Sequence, residues 1–575
     1  MAPRTRYAIA GFGFVCAILL LGIGMVVLSM MQWRLHLLTS LWLLSLLPRA
    51  LITQRAAPGV HGIARLSLIV VLSFVAVALQ LGREQIGQAS TTRIRVAQLR
   101  EVGATAPDQA TALRPGDRTA LGNGRIWPVM IGASVRGTIR DRNGVVLAET
   151  RDGRRIYPFP DLGNIIGFQS RLYGNSGVEA ARDLDLSGTR TFSVTALLES
   201  RLLGTPFTTQ PADVYLTLDA TLQQAAQAAL GDRPGAVVVL DPRTGAILAL
   251  ATYPRFDPNQ LVLADTASAE QVAQVQAFWQ GLTERSDSPL LNRATQGRYP
   301  PGSVIKTLTA AAALDSGLLT GPEAQVTCPN RLNTDAGAPP VVNAVENLAQ
   351  RTGDPSDLRR VYAWSCNTAF AQIGLGLGAE RFADYAGRFG LGFADAPAEP
   401  ALLDIPAEAG TIANDPAFLQ RPVALADTSF GQGQALVTPL DMAQMVALVA
   451  NNGILMRPYL VQDVRVGDQI RSAAKPTIIR QAINIQAAAQ LRDVMRSSVE
   501  FGYAKPVALP GITIGAKTGT AEAPGGAPHS WFVAIAPLEQ PRFAIAVIVE
   551  HGGEGSRNAL PIARQVLAAA LGVQP

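Results

Sequence analysis

Ala236-Val237-Val238-Val239-Leu240-Asp241, the turn Pro242-Arg243-Thr244-Gly245, and Ala246-Ile247-Leu248-Ala249-Leu250-Ala251 read as a β-hairpin with two continuous apolar arms. Arms without polar alternation belong inside a domain, covered on both faces. Just upstream, Val214-Tyr215-Leu216-Thr217-Leu218-Asp219 reads as a strand, and residues 220–230 read as a helix behind an Asp or Thr cap. Matching apolar runs lie near the C-terminus: Gly511-Ile512-Thr513-Ile514-Gly515-Ala516-Lys517, Trp531-Phe532-Val533-Ala534-Ile535-Ala536 and Phe543-Ala544-Ile545-Ala546-Val547-Ile548-Val549. A last helix is predicted over about 559–571, and a helix-rich middle spans about 303–500. Strands at both ends with helices between them imply an α+β sandwich, the ends returning to one sheet.

Three short motifs punctuate this plan. Tyr299-Pro300-Pro301-Gly302-Ser303-Val304-Ile305-Lys306 runs into the alanine-rich 307–314. The prolines and glycine stop what precedes, so Ser303 sits at a helix N-terminus, where free N–H groups favour developing negative charge. Lys306 projects from the same face, placing a hydroxyl beside an amine that burial could hold neutral. Taken alone, the tetrad favours the plainer reading of a capped helix with a solvated lysine. Ser365-Cys366-Asn367 offers a hydroxyl and a carboxamide one residue apart, and taken alone it favours an ordinary helix cap. Lys517-Thr518-Gly519-Thr520 ends an apolar strand with a cation, two hydroxyls and a glycine. Such an edge can pair with an extended peptide, while its hydroxyls and ammonium hold a carboxylate.

Composition sharpens the first motif. Of 49 Lys and Arg residues only four are lysines, namely Lys306, Lys475, Lys505 and Lys517. Arginine does not deprotonate in proteins, so a chain this poor in lysine keeps one where a base is needed. Histidines are as scarce, with His36, His61, His529 and His551, so a Ser-His-Asp triad is poorly supplied. The net charge of +5 is spread without a basic run, which gives nucleic-acid binding no support. Cys16, Cys328 and Cys366 lack metal-ligand spacing, and no metal is expected. Whether Cys328 and Cys366 pair is left open: an extracytoplasmic location permits a bond, and the sequence does not bring them together.

The N-terminal part points to a membrane. Residues 7–31 form an uncharged apolar run preceded by Arg4 and Arg6, long enough to cross a bilayer. Shorter runs follow at 35–47 and 66–82, giving one to three spans in a membrane region 1–82. With three, Arg49, Arg55 and Arg65 share a cytoplasmic loop and everything after Gly82 lies outside. Residues 83–135 read as a polar linker, 136–212 as a small β-rich pedestal module with a hairpin at Asn143-Gly144, and 213–575 as the main domain.

In their order, Ser303/Lys306, Ser365/Asn367 and Lys517-Thr518-Gly519 resemble the three motifs of penicillin-binding proteins and serine β-lactamases. The segment from Arg136-Gly137 to Ala148, the entry Leu216-Thr217-Leu218-Asp219, Gly431-Gln432-Gly433 with Val437-Thr438-Pro439-Leu440, and His529-Ser530-Trp531-Phe532 extend the likeness to class B penicillin-binding proteins. These are membrane-anchored, monofunctional peptidoglycan transpeptidases. Residues 83–212 are too short for the glycosyltransferase domain of the class A enzymes. The resemblance implies a transpeptidase/β-lactamase-like antiparallel sheet flanked by helices, behind a small extended module and a transmembrane anchor.

It also implies roles. Ser303 attacks the carbonyl between two terminal D-alanines of a stem peptide, and Lys306 takes its proton. Ser365 relays a proton to the leaving amine beside Lys517. Asn367 binds the substrate backbone and helps hold Lys306; Thr518 and Thr520 bind the terminal carboxylate, or that of a β-lactam antibiotic, and Gly519 lets the substrate come close. The N–H groups of Ser303 and Thr520 make the oxyanion hole. No cofactor is expected. The implied partners are stem peptides, β-lactams, the membrane and a polytopic glycan polymerase, with the catalytic domain outside the cell membrane. A β-lactamase is disfavoured because Glu399-Pro400-Ala401-Leu402-Leu403 lacks the asparagine of the deacylating Glu-x-x-Leu-Asn loop. A D,D-carboxypeptidase, or a membrane scaffold activating a polymerase, are the alternatives.

Overall fold

The structure, a computed structural model, describes residues 136–189 and 210–575, apart from 265, 336, 399–401, 403, 524 and 575. The apolar runs and linker of 1–135 lie outside these residues. Among the described residues no helix is long and apolar enough to cross a membrane.

In chain order, β1 (Ile139–Arg140), β2 (Val146–Arg151) and β3 (Arg154–Ile156) form the expected hairpin and its extension, followed by β4 (Asp213–Leu216). Helix α1 (Ala220–Leu230) starts where Asp219 accepts the free N–H groups of Thr221 and Leu222. The apolar hairpin is β5 (Gly235–Leu240) with β6 (Ile247–Tyr253). Helices α2 (Lys306–Asp315), α3 (Leu358–Ala363), α4 (Asn367–Leu377), α5 (Pro422–Phe430) and α6 (Pro439–Ala450) fill the middle. Strands β7 (Val461–Val466) and β8 (Gln469–Ala473) then precede α7 (Ile485–Glu500), β9 (Gly515–Ala521), β10 (His529–Ala536), β11 (Phe543–Val549) and α8 (Ala559–Leu571).

The main sheet has the order β9-β10-β11-β5-β6, antiparallel at every pair, so both ends of the domain do return to one sheet. Period-two geometry explains the continuous apolar arms. Ala236, Val238 and Leu240 face a core shared with α2, α6 and α7, whereas Val237 and Val239 face one shared with α1 and α8. With helices on both faces, polar alternation would bury unpaired groups.

The second sheet, β8-β7-β4-β1-β2-β3, differs from the sequence expectation in membership. β4, read as the entry to the main domain, pairs parallel with β1 and antiparallel with β7, so the 136–212 module shares one sheet with two later pieces of chain. Such pairing joins residues more than 200 positions apart and has no local signature. The module is also less extended than its sequence suggested, carrying short helices at Gly163–Ile166, Gly177–Ala181 and Asp183–Leu186. Its centre is an ion cluster in which the fully buried Glu179 accepts from Arg136 and Arg155, each at 2.6 Å. Burial pushes the Glu179 carboxyl up, yet the two guanidinium groups outweigh it and hold it below its usual value.

Candidate active site

The Ser303 segment is held residue by residue. Tyr299 exchanges backbone hydrogen bonds with Val437, both at 2.9 Å. The carbonyl of Pro300 accepts from the indole Nε1 of Trp531 at 2.9 Å, a long-range anchor for a stretch whose prolines donate nothing. Gly302 through Ile305 form a 3-10 turn that leads directly into α2, with Ser303 half-buried on it. Gly302 has φ +52°, and a Cβ there would lie 2.5 Å from the carbonyl of Thr520. Gly431, ending α5 at φ +103°, is pressed against Gly302 in turn, where a Cβ would stand 1.9 Å from the Gly302 carbonyl. Three elements thus meet at a point that only glycines can occupy.

Lys306 begins α2 and is fully buried. Its Nζ reaches Asn367 Oδ1 at 2.6 Å, Ser365 O at 2.8 Å and Ser365 Oγ at 3.0 Å. Lys517 is equally buried, and its Nζ reaches the same Ser365 Oγ at 3.0 Å and Thr518 O at 2.9 Å. One hydroxyl oxygen therefore lies between two amines. Burial pulls the Lys517 ammonium down to about 7. Burial, joined by the positive charge of Lys517, pulls Lys306 well below its ordinary value. Among the described residues, no carboxylate stands close enough to either lysine to hold its charge. Two ammonium groups on one oxygen disfavour each other, so the pair resists carrying two protons.

Ser365 owes its place to the backbone. It has φ +57°, a conformation that costs a non-glycine residue of order 1–3 kcal/mol and turns the chain sharply between α3 and α4. Cys366 is the N-cap of α4, its sulfur accepting from Ala369 N, and Asn367 is the first helical residue. The helix-cap reading of Ser365-Cys366-Asn367 therefore holds, and the same turn brings Ser365 and Asn367 to Lys306. Cys366 is bonded to Cys328 across 38 residues, which answers the pairing question. Beside that bond, the carboxamide of Asn367 donates to Val342 O at 3.0 Å. Oδ1 is thereby turned to Lys306, and the second N–H of Nδ2 is left for a ligand.

The Lys517 motif departs from its expected place. Lys517, Thr518, Gly519 and Thr520 all lie within β9, whereas the sequence ended that strand at Lys517, and they pair in turn with Val533, Phe532, Trp531 and Ser530. β9 is the end strand of the main sheet, so among the described residues no strand pairs with its other edge, which lies against the Ser303 turn. Thr518 is buried and Thr520 exposed, Thr520 Oγ1 accepting from Gly555 N at 3.4 Å. A Cβ on Gly519 would meet both Trp531 Cβ and Val304 Cγ1 at 3.0 Å, so the glycine lets β9 approach the Ser303 turn as well as a substrate.

All eight expected site residues thus come together between the start of α2, the α3–α4 turn and the β9 edge. Sequence reasoning missed the supports: Trp531 on Pro300, Gly431 on Gly302, Val342 on Asn367, and the Tyr299 hydroxyl donating to Glu550 at 2.6 Å. The first two lie within segments that carried the family resemblance, but nothing local assigned them a neighbour. The arrangement brings together a serine hydroxyl at a helix start, an amine whose charge burial disfavours, a hydroxyl shared between two amines, and the edge of a sheet.

The penicillin binding protein transpeptidase domain family matches residues 235–568. The peptidoglycan D,D-transpeptidase PbpA of Mycolicibacterium smegmatis is 37% identical over 446 residues, covering 73% of this chain and 85% of that protein. PbpA of Mycobacterium tuberculosis is 36% identical, covering 74% and 86% respectively. The structure of M. tuberculosis penicillin-binding protein A as a ceftriaxone acyl-enzyme complex superposes with a TM-score of 0.67 at 34% identity, over 76% of this chain and 99% of that one.

Proposed function

The chain belongs to the penicillin-binding protein transpeptidase family, as a class B member, and we propose that it cross-links peptidoglycan stem peptides through an acyl-enzyme on Ser303. The observation that carries the residue assignment is the Ser365 hydroxyl held at 3.0 Å from both Lys306 and Lys517. Neutral Lys306 takes the Ser303 proton as Oγ attacks the carbonyl of the penultimate D-alanine. The proton passes through Ser365 to the departing amine, and Lys517 keeps positive potential where the C-terminal carboxylate of the substrate lies. Thr518 and Thr520 hold that carboxylate, Gly519 lets the peptide lie close along the β9 edge, and Asn367 binds its backbone. The N–H groups of Ser303 and Thr520 receive the oxyanion, a reading supported by the close approach of Gly302 to the Thr520 carbonyl. An amine from a second stem peptide then resolves the ester.

The finer placement is part of the same proposal. The 1–82 apolar runs anchor the chain, the catalytic domain works outside the cell membrane, and the anchor region meets a polytopic glycan polymerase. The Cys328–Cys366 bond supports that side of the membrane, since such bonds persist in oxidising surroundings. Intact-mass measurement after incubation with penicillin tests the core reading. A stable adduct mapping to Ser303, absent from Ser303→Ala, is expected. Rapid return to the unmodified mass identifies a β-lactamase instead, and no adduct on the wild type overturns the assignment.

A further inference from the structure

Three side chains beside the relay serine have no part in forming the acyl-enzyme. Trp364 directly precedes Ser365 and is half-buried. Tyr503 meets its ring edge-on at 5.2 Å, and the Arg351 guanidinium lies 4.9 Å over its face. The shelf is fixed from below, because Tyr503 N donates to Ala363 O at 3.2 Å. Arg351 is exposed, and among the described residues no carboxylate pairs with it, whereas Arg136, Arg155, Arg293 and Arg359 all have acidic partners. A guanidinium steadied over an indole and lacking an acid is a receptor for an anion, and a planar one suits a carboxylate. Burial pushes the Tyr503 phenol up, while Arg351 pulls it down and the charge of Glu554 pushes it up.

The position of this shelf matters because of microscopic reversibility. The group that protonates the leaving amine also deprotonates the incoming one, so the acceptor enters by the side of Ser365 from which the leaving group departed. Resting on the transpeptidase reading above, we propose that Arg351, Trp364 and Tyr503 form the acceptor subsite, taking a peptide amine whose own residue carries a free carboxylate, as a diamino acid does. The aromatic shelf carries the aliphatic spacer and Arg351 takes the carboxylate. The amine nitrogen then attacks the ester carbonyl; the C–N bond forms as the bond to Ser303 Oγ breaks. The proton lost by the amine passes through Ser365 and Lys306 to Ser303 Oγ, restoring the hydroxyl.

The test loads the full-length protein with an N-acyl-D-alanyl thioester and offers either D-ornithine or 1,4-diaminobutane, which has the same amine and spacer but no carboxylate. The readout is the ratio of aminolysis between the two acceptors within each protein, which a general loss of activity does not move. The wild type is expected to favour ornithine by about tenfold, the order of a charge-assisted pair. Arg351→Gln is expected to abolish that preference, and Arg351→Lys to restore part of it. Equal use of both acceptors by the wild type, or an unchanged ratio in Arg351→Gln, overturns the subsite. Failure of the wild type to form any acyl-enzyme overturns the transpeptidase reading itself.

Discussion

At the scale of single residues, the centre is two lysines kept where lysine is costly. Each loses its hydration, and among the described residues neither has an acid to compensate, so the protein accepts a penalty on the order of a few kcal/mol to keep one amine neutral. Lys306→Arg keeps a cation but cannot serve as a base, and stopped-flow acylation by a β-lactam should slow by about 10²-fold or more. Lys517 gives a prediction in stability. Its folded value of about 7 lies below the ordinary 10.5, so between these limits the unfolded chain holds a proton that the folded chain has released. Stability relative to Lys517→Met must therefore rise with pH across that window, by up to about 1.4 kcal/mol per unit, and fall away toward pH 7. Urea unfolding of both proteins at several pH values measures it; a difference independent of pH would mean that Lys517 is charged when folded.

At the scale of elements, the motifs are joined by close approaches rather than by long side chains alone. The end of α5, the Ser303 turn and β9 meet through Gly431, Gly302 and the Thr520 carbonyl. Gly431→Ala should cost a few kcal/mol in urea unfolding and slow acylation, because either α5 or the Ser303 turn must move. Gly317 is the control: its φ of +76° is equally left-handed, but a Cβ there meets nothing within 4 Å. Gly317→Ala should cost only the backbone penalty of about 1–2 kcal/mol and leave acylation unchanged. Equal effects from both substitutions would reduce the interlock to ordinary strain. The disulfide works at this scale too, closing a 38-residue loop and so removing roughly 4 kcal/mol of chain entropy from the unfolded state in the simplest account.

At the scale of the whole molecule, the proposed topology makes side of membrane and chemistry test one another. Alkaline phosphatase fused after residue 90 should be active and after residue 55 inactive; the reverse would put the catalytic domain on the wrong side. The sequence by itself determined the sheet strands of both chain ends, the closing helix and the eight candidate residues that the fold gathers in one place. Apolar runs, caps and motif spacing act within a few residues, and the lysine scarcity made Lys306 and Lys517 conspicuous. It ended the Lys517 strand short of its observed end at Ala521 and gave β4 to the main sheet, because strand length and partner depend on chain segments far away. Only the tertiary structure decided that Ser365 is shared by both amines, that Trp531 anchors Pro300, that Cys328 meets Cys366, and that Arg351 lies over Trp364 with no acidic partner among the described residues. Each of these is set by a contact between segments distant in the chain, and a pKa or an anion site is a property of that surrounding rather than of the residue.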